Sequence, residues 1–134
     1  MGAPIRVEMT TAQLVDSFVH EKPDFTPGAD WAYDSSRYVL IGAVVEAVTG
    51  MSWHAYLQQA LFTPLGLSHT HYGGDPKVTA PQVQGYTLLD VKPVAASSLS
   101  MIQPHAAGAL VSSVDDLLKW NRALHEGKVL RSET

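Results

Sequence analysis

Apolar residues recur at helical spacing in four stretches, each bracketed by residues that start or stop helices. The first opens at Thr10-Thr11-Ala12-Gln13, where Thr10 can accept an N–H one turn on and Gln13 can reach back, as in a capping box. Leu14 and Phe18, with Val15, line one face, and Pro23 marks the end. A loop from Asp24 to Trp31 follows, with a turn signal at Pro27-Gly28. The second stretch, Tyr38 to Val48, is nearly continuous in apolar residues, and only Arg37 and Glu46 bring charge to it. That pattern predicts a helix buried on all sides. Its β-branched residues also suit a strand, but its length and the Gly50 stop favour a helix. Asp34, Ser35 and Ser36 each have the chemistry of its N-cap.

The third stretch has Ser52 as cap, then Trp53, Tyr56, Leu57, Ala60 and Leu61, closed by Pro64 and Gly66. The fourth opens at Ser113-Val114-Asp115-Asp116, a capping box with Asp in place of Glu, whose acids suit the helix dipole. It continues through Leu117, Leu118, Trp120, Ala123 and Leu124 to a Gly127 stop, and Ser132-Glu133-Thr134 resembles the start of another helix. Between the third and fourth, Leu67 to Gly108 reads as irregular. It has turn signals at Gly73-Gly74-Asp75-Pro76, Pro81, Gly85, Pro93 and Pro104, and short extended pieces such as Gln84 to Val91. Such a length without regular structure points to an active-site wall, or to a segment that leans on something else.

Composition narrows the classes. The 134 residues are 46% hydrophobic and 16% charged, enough apolar material for a core and too much for wholesale disorder. Net charge is −4 with no basic cluster, so neither nucleic acid nor an anionic membrane is an expected partner. The absence of cysteine excludes disulfides, thiolate nucleophiles and Cys-ligated zinc, and leaves the compartment open. No apolar run approaches the ~20 residues of a membrane span. Met1-Gly2-Ala3-Pro4-Ile5-Arg6 lacks a basic region followed by an apolar one, so no signal peptide is expected there. Residues 1–9 are expected to be a flexible start, and residues 1–134 one partial domain. No cofactor is implied.

Several motifs carry a resemblance. Phe25-x-Pro27-Gly28-x-x-Trp31-x-Tyr33 is followed by Tyr38-x-Leu40-x-Gly42, Glu46-x-x-Thr49-Gly50 and Phe62-x-Pro64-Leu65-Gly66-Leu67-x-x-Thr70. Downstream lies Ala107-Gly108-Ala109-Leu110-Val111-Ser112-Ser113-x-x-Asp116-Leu117-x-x-Trp120. In order and spacing this resembles the serine β-lactamase-like family of class C β-lactamases, penicillin-binding proteins, D-aminopeptidases and esterases. The likeness runs from about Thr10 to Thr134.

The family performs serine acyl transfer with three stations: a Ser-x-x-Lys pair, a Tyr-x-Asn or Ser-x-Asn, and a Lys-Thr-Gly-like strand. No serine here has Lys three residues later, and no lysine precedes Thr-Gly or Ser-Gly. The one station the resemblance places is Tyr33-Asp34-Ser35. It implies that Tyr33 is the general base or proton relay, with Ser35 where the family usually has Asn. A hydroxyl cannot reproduce the amide's paired donor and acceptor. Trp31 and Asp34 are candidates for the substrate side of the same cleft. The plain alternative is that Tyr33 is a packing aromatic and Asp34-Ser35 a helix cap.

Other candidates are weaker. His69-x-His71 puts two imidazoles on one side of an extended strand with Asp75 near, but no third metal ligand is signalled and no metal site is expected. His20, His54, His105 and His125 are scattered and read as surface or cap residues. Trp31, Trp53 and Trp120 each sit in an apolar pattern and read as core, with a cleft wall as the second reading for Trp31.

The resemblance therefore implies a mainly α chain of about four helices and one long irregular segment. It would be the helical region of the β-lactamase/penicillin-binding fold, lacking the flanking α/β sheet. The intact parent takes an acyl substrate, whether β-lactam, ester or peptide, and the segment alone is expected to be inactive. Family members are often exported or periplasmic. The alternative is a non-catalytic binding or assembly module, a homo-oligomer through exposed apolar surface or a complement to missing halves.

Overall fold

A computed structural model describes residues 9–75, 78, 82–97 and 100–130. The expected flexible start (all but Met9), the Pro76 and Pro81 turn signals and the helix start at 132–134 lie outside them. Helix α1 spans Thr11–Val19, and its Thr10 side chain and Gln13 form the reciprocal capping box. The chain leaves the helix at His20, ahead of Pro23, with Leu14, Val15 and Phe18 half-buried on one face.

Helix α2 spans Ser35–Thr49. Asp34 is its N-cap, with Oδ1 accepting from the Ser36 N–H at 2.6 Å. Gly50 closes it at φ +68, a left-handed conformation that glycine adopts without steric penalty. The expectation of burial on all sides is overturned. Only Val39 and Gly42 are buried, while Ile41, Val44 and Val48 are 57%, 61% and 80% exposed. Helix α1 and the helices at Trp53–Leu57 and His105–Gly108 pack against one stripe of α2, and Ile41, Val44 and Val48 on the rest stay open to solvent.

The third helical stretch divides in two. Helix α3 covers Trp53–Leu57, and a π-helical turn follows over Gln58–Phe62. The Thr63 N–H reaches back five residues to the Gln58 carbonyl at 2.9 Å, and Leu67 does the same to Phe62 at 2.8 Å. Ser52 stands at the cap position, but its side chain makes no cap hydrogen bond.

The long segment expected to be irregular holds most of the remaining structure. Strand β1 (His71–Tyr72) pairs antiparallel with β4 (Leu110–Val111), in the register His71 opposite Val111. The Gly73 N–H extends that pairing to the Ala109 carbonyl at 2.8 Å. Between them a hairpin joins β2 (Tyr86–Leu89) to β3 (Lys92–Ala95), its eight strand residues all exposed. Asp90 and Val91 turn it at φ 47 and 63, the handedness of a two-residue type I′ loop. Short helix α4 (His105–Gly108) precedes β4. Helix α5 (Val114–His125) is capped by the Ser113 hydroxyl, which accepts from the Asp116 N–H at 3.2 Å. Asp116 does not complete the capping box; its carboxylate turns inward instead.

The apolar core is Val39, Trp53, Phe62, Leu67, Ala109 and Ala123. Trp53 is thus core as expected, Trp120 is half-buried, and Trp31 is 79% exposed, correcting its reading as core. The surface totals 10729 Å², against about 6,900 Å² for a compact monomer of this mass.

Candidate functional site

The residues singled out by the sequence gather at the N-terminus of α2. Tyr33 sits two residues before the helix, 63% exposed, its ring 5.7 Å from that of Tyr38 one turn further on. Asp34 is bound to the start of α2 as its cap. Hydrogen bonds from Ser36, hydroxyl first and backbone N–H second, hold its carboxyl below the usual carboxylate range, and the Arg37 charge adds to them. Arg37 folds back from the first turn to donate to the Ala32 carbonyl, and its guanidinium lies 6.0 Å from the centre of the Phe25 ring. The lead-in to Tyr33 is therefore tied to the helix from both sides. Ser35 is the exposed first residue of α2, and exposed Trp31 precedes the station. A cleft of about 490 Å³ opens beside it, between the end of α1 and the start of α2. Phe18, Phe25, Lys22, Asp34 and Arg37 line it. The phenol of Tyr33 stands in solvent outside this cleft, free of the packed core.

A second polar centre escaped sequence reasoning. Asp116 is 0% exposed. Its Oδ2 accepts from the His69 backbone N–H at 2.7 Å and from the Thr70 hydroxyl at 3.1 Å, and its Oδ1 accepts from Lys119 Nζ at 2.9 Å. Burial pushes this carboxyl up, but the hydrogen bonds from Lys119, His69 and Thr70 outweigh it and leave the group below its ordinary value. Thr70 commits its one proton to Asp116 and so accepts from Ser112 Oγ at 2.8 Å. Two motif segments read separately in the sequence, one ending in Thr70 and the other containing Asp116, are thus one knot. The signal was the pairing of those motifs, not either alone. An apolar cavity of about 370 Å³ lies against the knot, walled by Leu57, Leu61, Leu110, Leu117 and Trp120.

The histidines divide. His20 lies on the surface beside Asp16 at 3.1 Å, and His125 is exposed. His54 is half-buried and stacks on Tyr72, ring centres 4.7 Å apart, and burial raises the Tyr72 phenol. His105 is buried, which corrects its reading as a surface or cap residue. Gly42 makes this possible: a Cβ there would lie 2.8 Å from His105 Cε1. His69 is exposed with Nδ1 3.2 Å from Ser68 Oγ, whereas His71 is half-buried in β1. Among the described residues no three His, Asp or Glu side chains are grouped to hold a metal ion. No helix among them is long and apolar enough to cross a membrane.

Comparison with known proteins follows the same lines. Penicillin-binding protein 4 of Amycolatopsis lactamdurans is 41% identical over 56 residues, 42% of this chain and 15% of that protein. The chain spans between 14% and 26% of the length of the curated relatives it matches. Among solved structures, the D-amino acid amidase of Ochrobactrum anthropi SV3 complexed with L-phenylalanine superposes with a TM-score of 0.80 at 27% identity. The match covers 99% of this chain and 39% of that one. The D-stereospecific amidohydrolase of a Streptomyces species gives 0.78 at 32% identity, covering 93% and 38%. Residues 2–134 match the family described as Beta-lactamase, and this chain belongs to that family of hydrolases.

Proposed function

We propose that this chain carries the tyrosine station and one wall of the cleft of a serine acyl hydrolase, and turns over no substrate by itself. In the reaction a serine hydroxyl attacks a carbonyl carbon and loses its proton to a base. The amine or alcohol leaves with a proton, and water then releases the acyl group. Tyr33 takes the role of proton relay, Ser35 the place of the family's amide, and Trp31 and Asp34 the substrate-side wall. The observation that carries this reading is Tyr33 itself, a large aromatic 63% exposed on a segment pinned by Asp34 and Arg37. The sequence holds no Ser-x-x-Lys and no Lys-Thr-Gly, so the attacking group and its cation are assigned to polypeptide other than these residues.

The substrate class is an acyl compound. Similarity to a D-amino acid amidase and a D-stereospecific amidohydrolase favours an amide beside a D-configured residue over an ester or a β-lactam. In fold terms the chain is the helical region of the β-lactamase fold without its flanking α/β sheet. The two described sheets have two strands each. Self-association through the bare face of α2 is the partner proposed for the isolated chain.

The test is hydrolysis of D-phenylalanine amide, a p-nitrophenyl ester and a chromogenic β-lactam by the pure chain. No turnover is expected. Turnover that survives Tyr33→Phe removes Tyr33 from the chemistry, and a stable acyl adduct on Ser35 or Ser36 places the nucleophile inside the chain. Adding a polypeptide that bears Ser-x-x-Lys and Lys-Thr-Gly should restore activity with the wild-type chain and not with Tyr33→Phe.

A further inference from the structure

A cavity of about 320 Å³ separate from the Tyr33 station opens between α1, α2 and α3, with His105 on its wall. We infer that His105 is an acid-sensitive latch, which holds α1 in place while its imidazole is neutral and releases it on protonation. This is independent of the acyl-transfer reading.

Three observations of geometry converge. His105 Nε2 lies 3.2 Å from Thr11 Oγ1 in the first turn of α1. Among the described residues this is the one hydrogen bond tying α1 to the rest of the fold. The opposite nitrogen, Nδ1, is buried without a hydrogen-bond partner and is pressed against α2 at Gly42, where a Cβ would lie 3.0 Å from it. The backbone of His105 is held at φ 41, a conformation that costs a non-glycine residue energy.

The chemistry follows. With its proton on Nε2, the ring donates to Thr11 Oγ1 and leaves only a lone pair at Nδ1. A second proton creates a buried N–H and a positive charge with no acceptor, the costliest form of an unmet donor. The ring then leaves its slot, the backbone strain at residue 105 relaxes, and α1 loses its bond. Among the described residues, Glu46, His54 and Tyr72 are the titratable groups that line the cavity with His105. From α2, Glu46 favours the charged ring, but its Oε1 is engaged by the Trp53 N–H at 3.2 Å. From α3, His54 opposes the charge, and it is stacked on Tyr72 of β1. The α1 side contributes Met9, Thr10 and Thr11, none of them charged. Burial dominates, and the imidazole is held below its ordinary value, Glu46 and His54 acting in opposite directions. The sign is therefore set. The latch is closed above the ordinary histidine value of about 6.5, and its stability is lost as pH falls below it.

The experiment is hydrogen exchange of the full chain from about pH 7.5 to about pH 5, corrected for intrinsic rates, with α5 as internal reference. Protection of α1 should fall about tenfold per pH unit between the free and buried histidine values, while α5 holds. In His105→Gln, which is neutral throughout, α1 should show no such dependence; His54→Gln should keep it. Imidazole NMR on the wild-type chain should show His105 titrating below the ordinary value, a measurement that stands even if His105→Gln fails to fold. The latch is refuted by a flat α1 profile in the wild type, by the same fall in His105→Gln, by α1 and α5 losing protection together, or by His105 titrating at or above the ordinary value.

Discussion

Replacing Asp116 by alanine removes the acceptor on which three donor groups converge. The side chain is fully buried, so water cannot take its place at once. The His69 N–H, bonded at 2.7 Å, is stranded, at a cost of ~1–3 kcal/mol. The Thr70 hydroxyl loses a 3.1 Å bond but keeps Ser112 at 2.8 Å, which places it near the lower end of the same range. Lys119 is 45% exposed and retains the Gly66 carbonyl at 2.8 Å, so its ion pair is discounted to about 0–1 kcal/mol. The sum is about 2–5 kcal/mol, a large share of the ~5–15 kcal/mol that stabilises an ordinary domain. With m about 2 kcal/mol per molar urea, the midpoint should move down by ~1–2.5 M at unchanged slope. Asp116→Asn keeps the shape and one acceptor and should lose about half as much. Because the folded carboxyl titrates below its ordinary value, its contribution is present above ~pH 3.9 and lost as pH falls through the lowered value. Asp116→Asn should accordingly flatten the acid limb of the stability profile. Urea unfolding followed by far-UV circular dichroism reads all of this. An Asp116→Ala chain within ~0.5 kcal/mol of the wild type would refute the reasoning, since that is the scatter of inert surface substitutions.

Gly42→Ala puts a methyl 2.8 Å from His105 Cε1 and 3.0 Å from the Ala106 Cβ. It should destabilise by ~1–3 kcal/mol in urea unfolding despite alanine's better helix propensity. Ser113→Ala removes the cap of α5 and should cost about 1 kcal/mol by the same measurement, with fraying confined to the first turn of that helix by hydrogen exchange. Tyr33→Phe, at an exposed position, should leave the unfolding midpoint within ~0.5 kcal/mol of the wild type, so that any effect on complemented activity is chemical. Sedimentation at rising concentration should show mass increasing, and Val44→Lys, at a position 61% exposed, should suppress the increase without loss of stability.

The helices were legible because their signals are local. Thr10 with Gln13, Asp34 before α2, Gly50 after it and Ser113 before α5 all act within one turn of themselves. What lay outside local range was misread. The pairing of His71 with Val111 joins residues too far apart in the chain for any window to see. The π-turn at Gln58–Phe62 has an apolar pattern that also suits an α-helix. Burial of α2 was overestimated because hydrophobicity reports what a helix is suited to contact, not what is present beside it. His105 was underestimated because its slot is made by an absence, the missing Cβ of Gly42 on another helix. Tyr33 and Asp34 stand at the start of α2 as the capping chemistry of Asp34 implies, and the inward turn of Asp116 is hidden by its suitability as a capping acid.

The two short strands β1 and β4 close the stem of a long excursion whose hairpin exposes every strand residue. Once such a stem is shut, lengthening the excursion costs little, since doubling a flexible loop adds only ~0.6 kcal/mol of closure entropy. Insertions and deletions within residues 82–97 should therefore be inherited freely, whereas a single-residue slip at Tyr72 or Leu110 would turn side chains to the wrong face. Within one stable frame, that excursion is where lineages can vary in length, and where a foreign peptide can be spliced in without disturbing the rest.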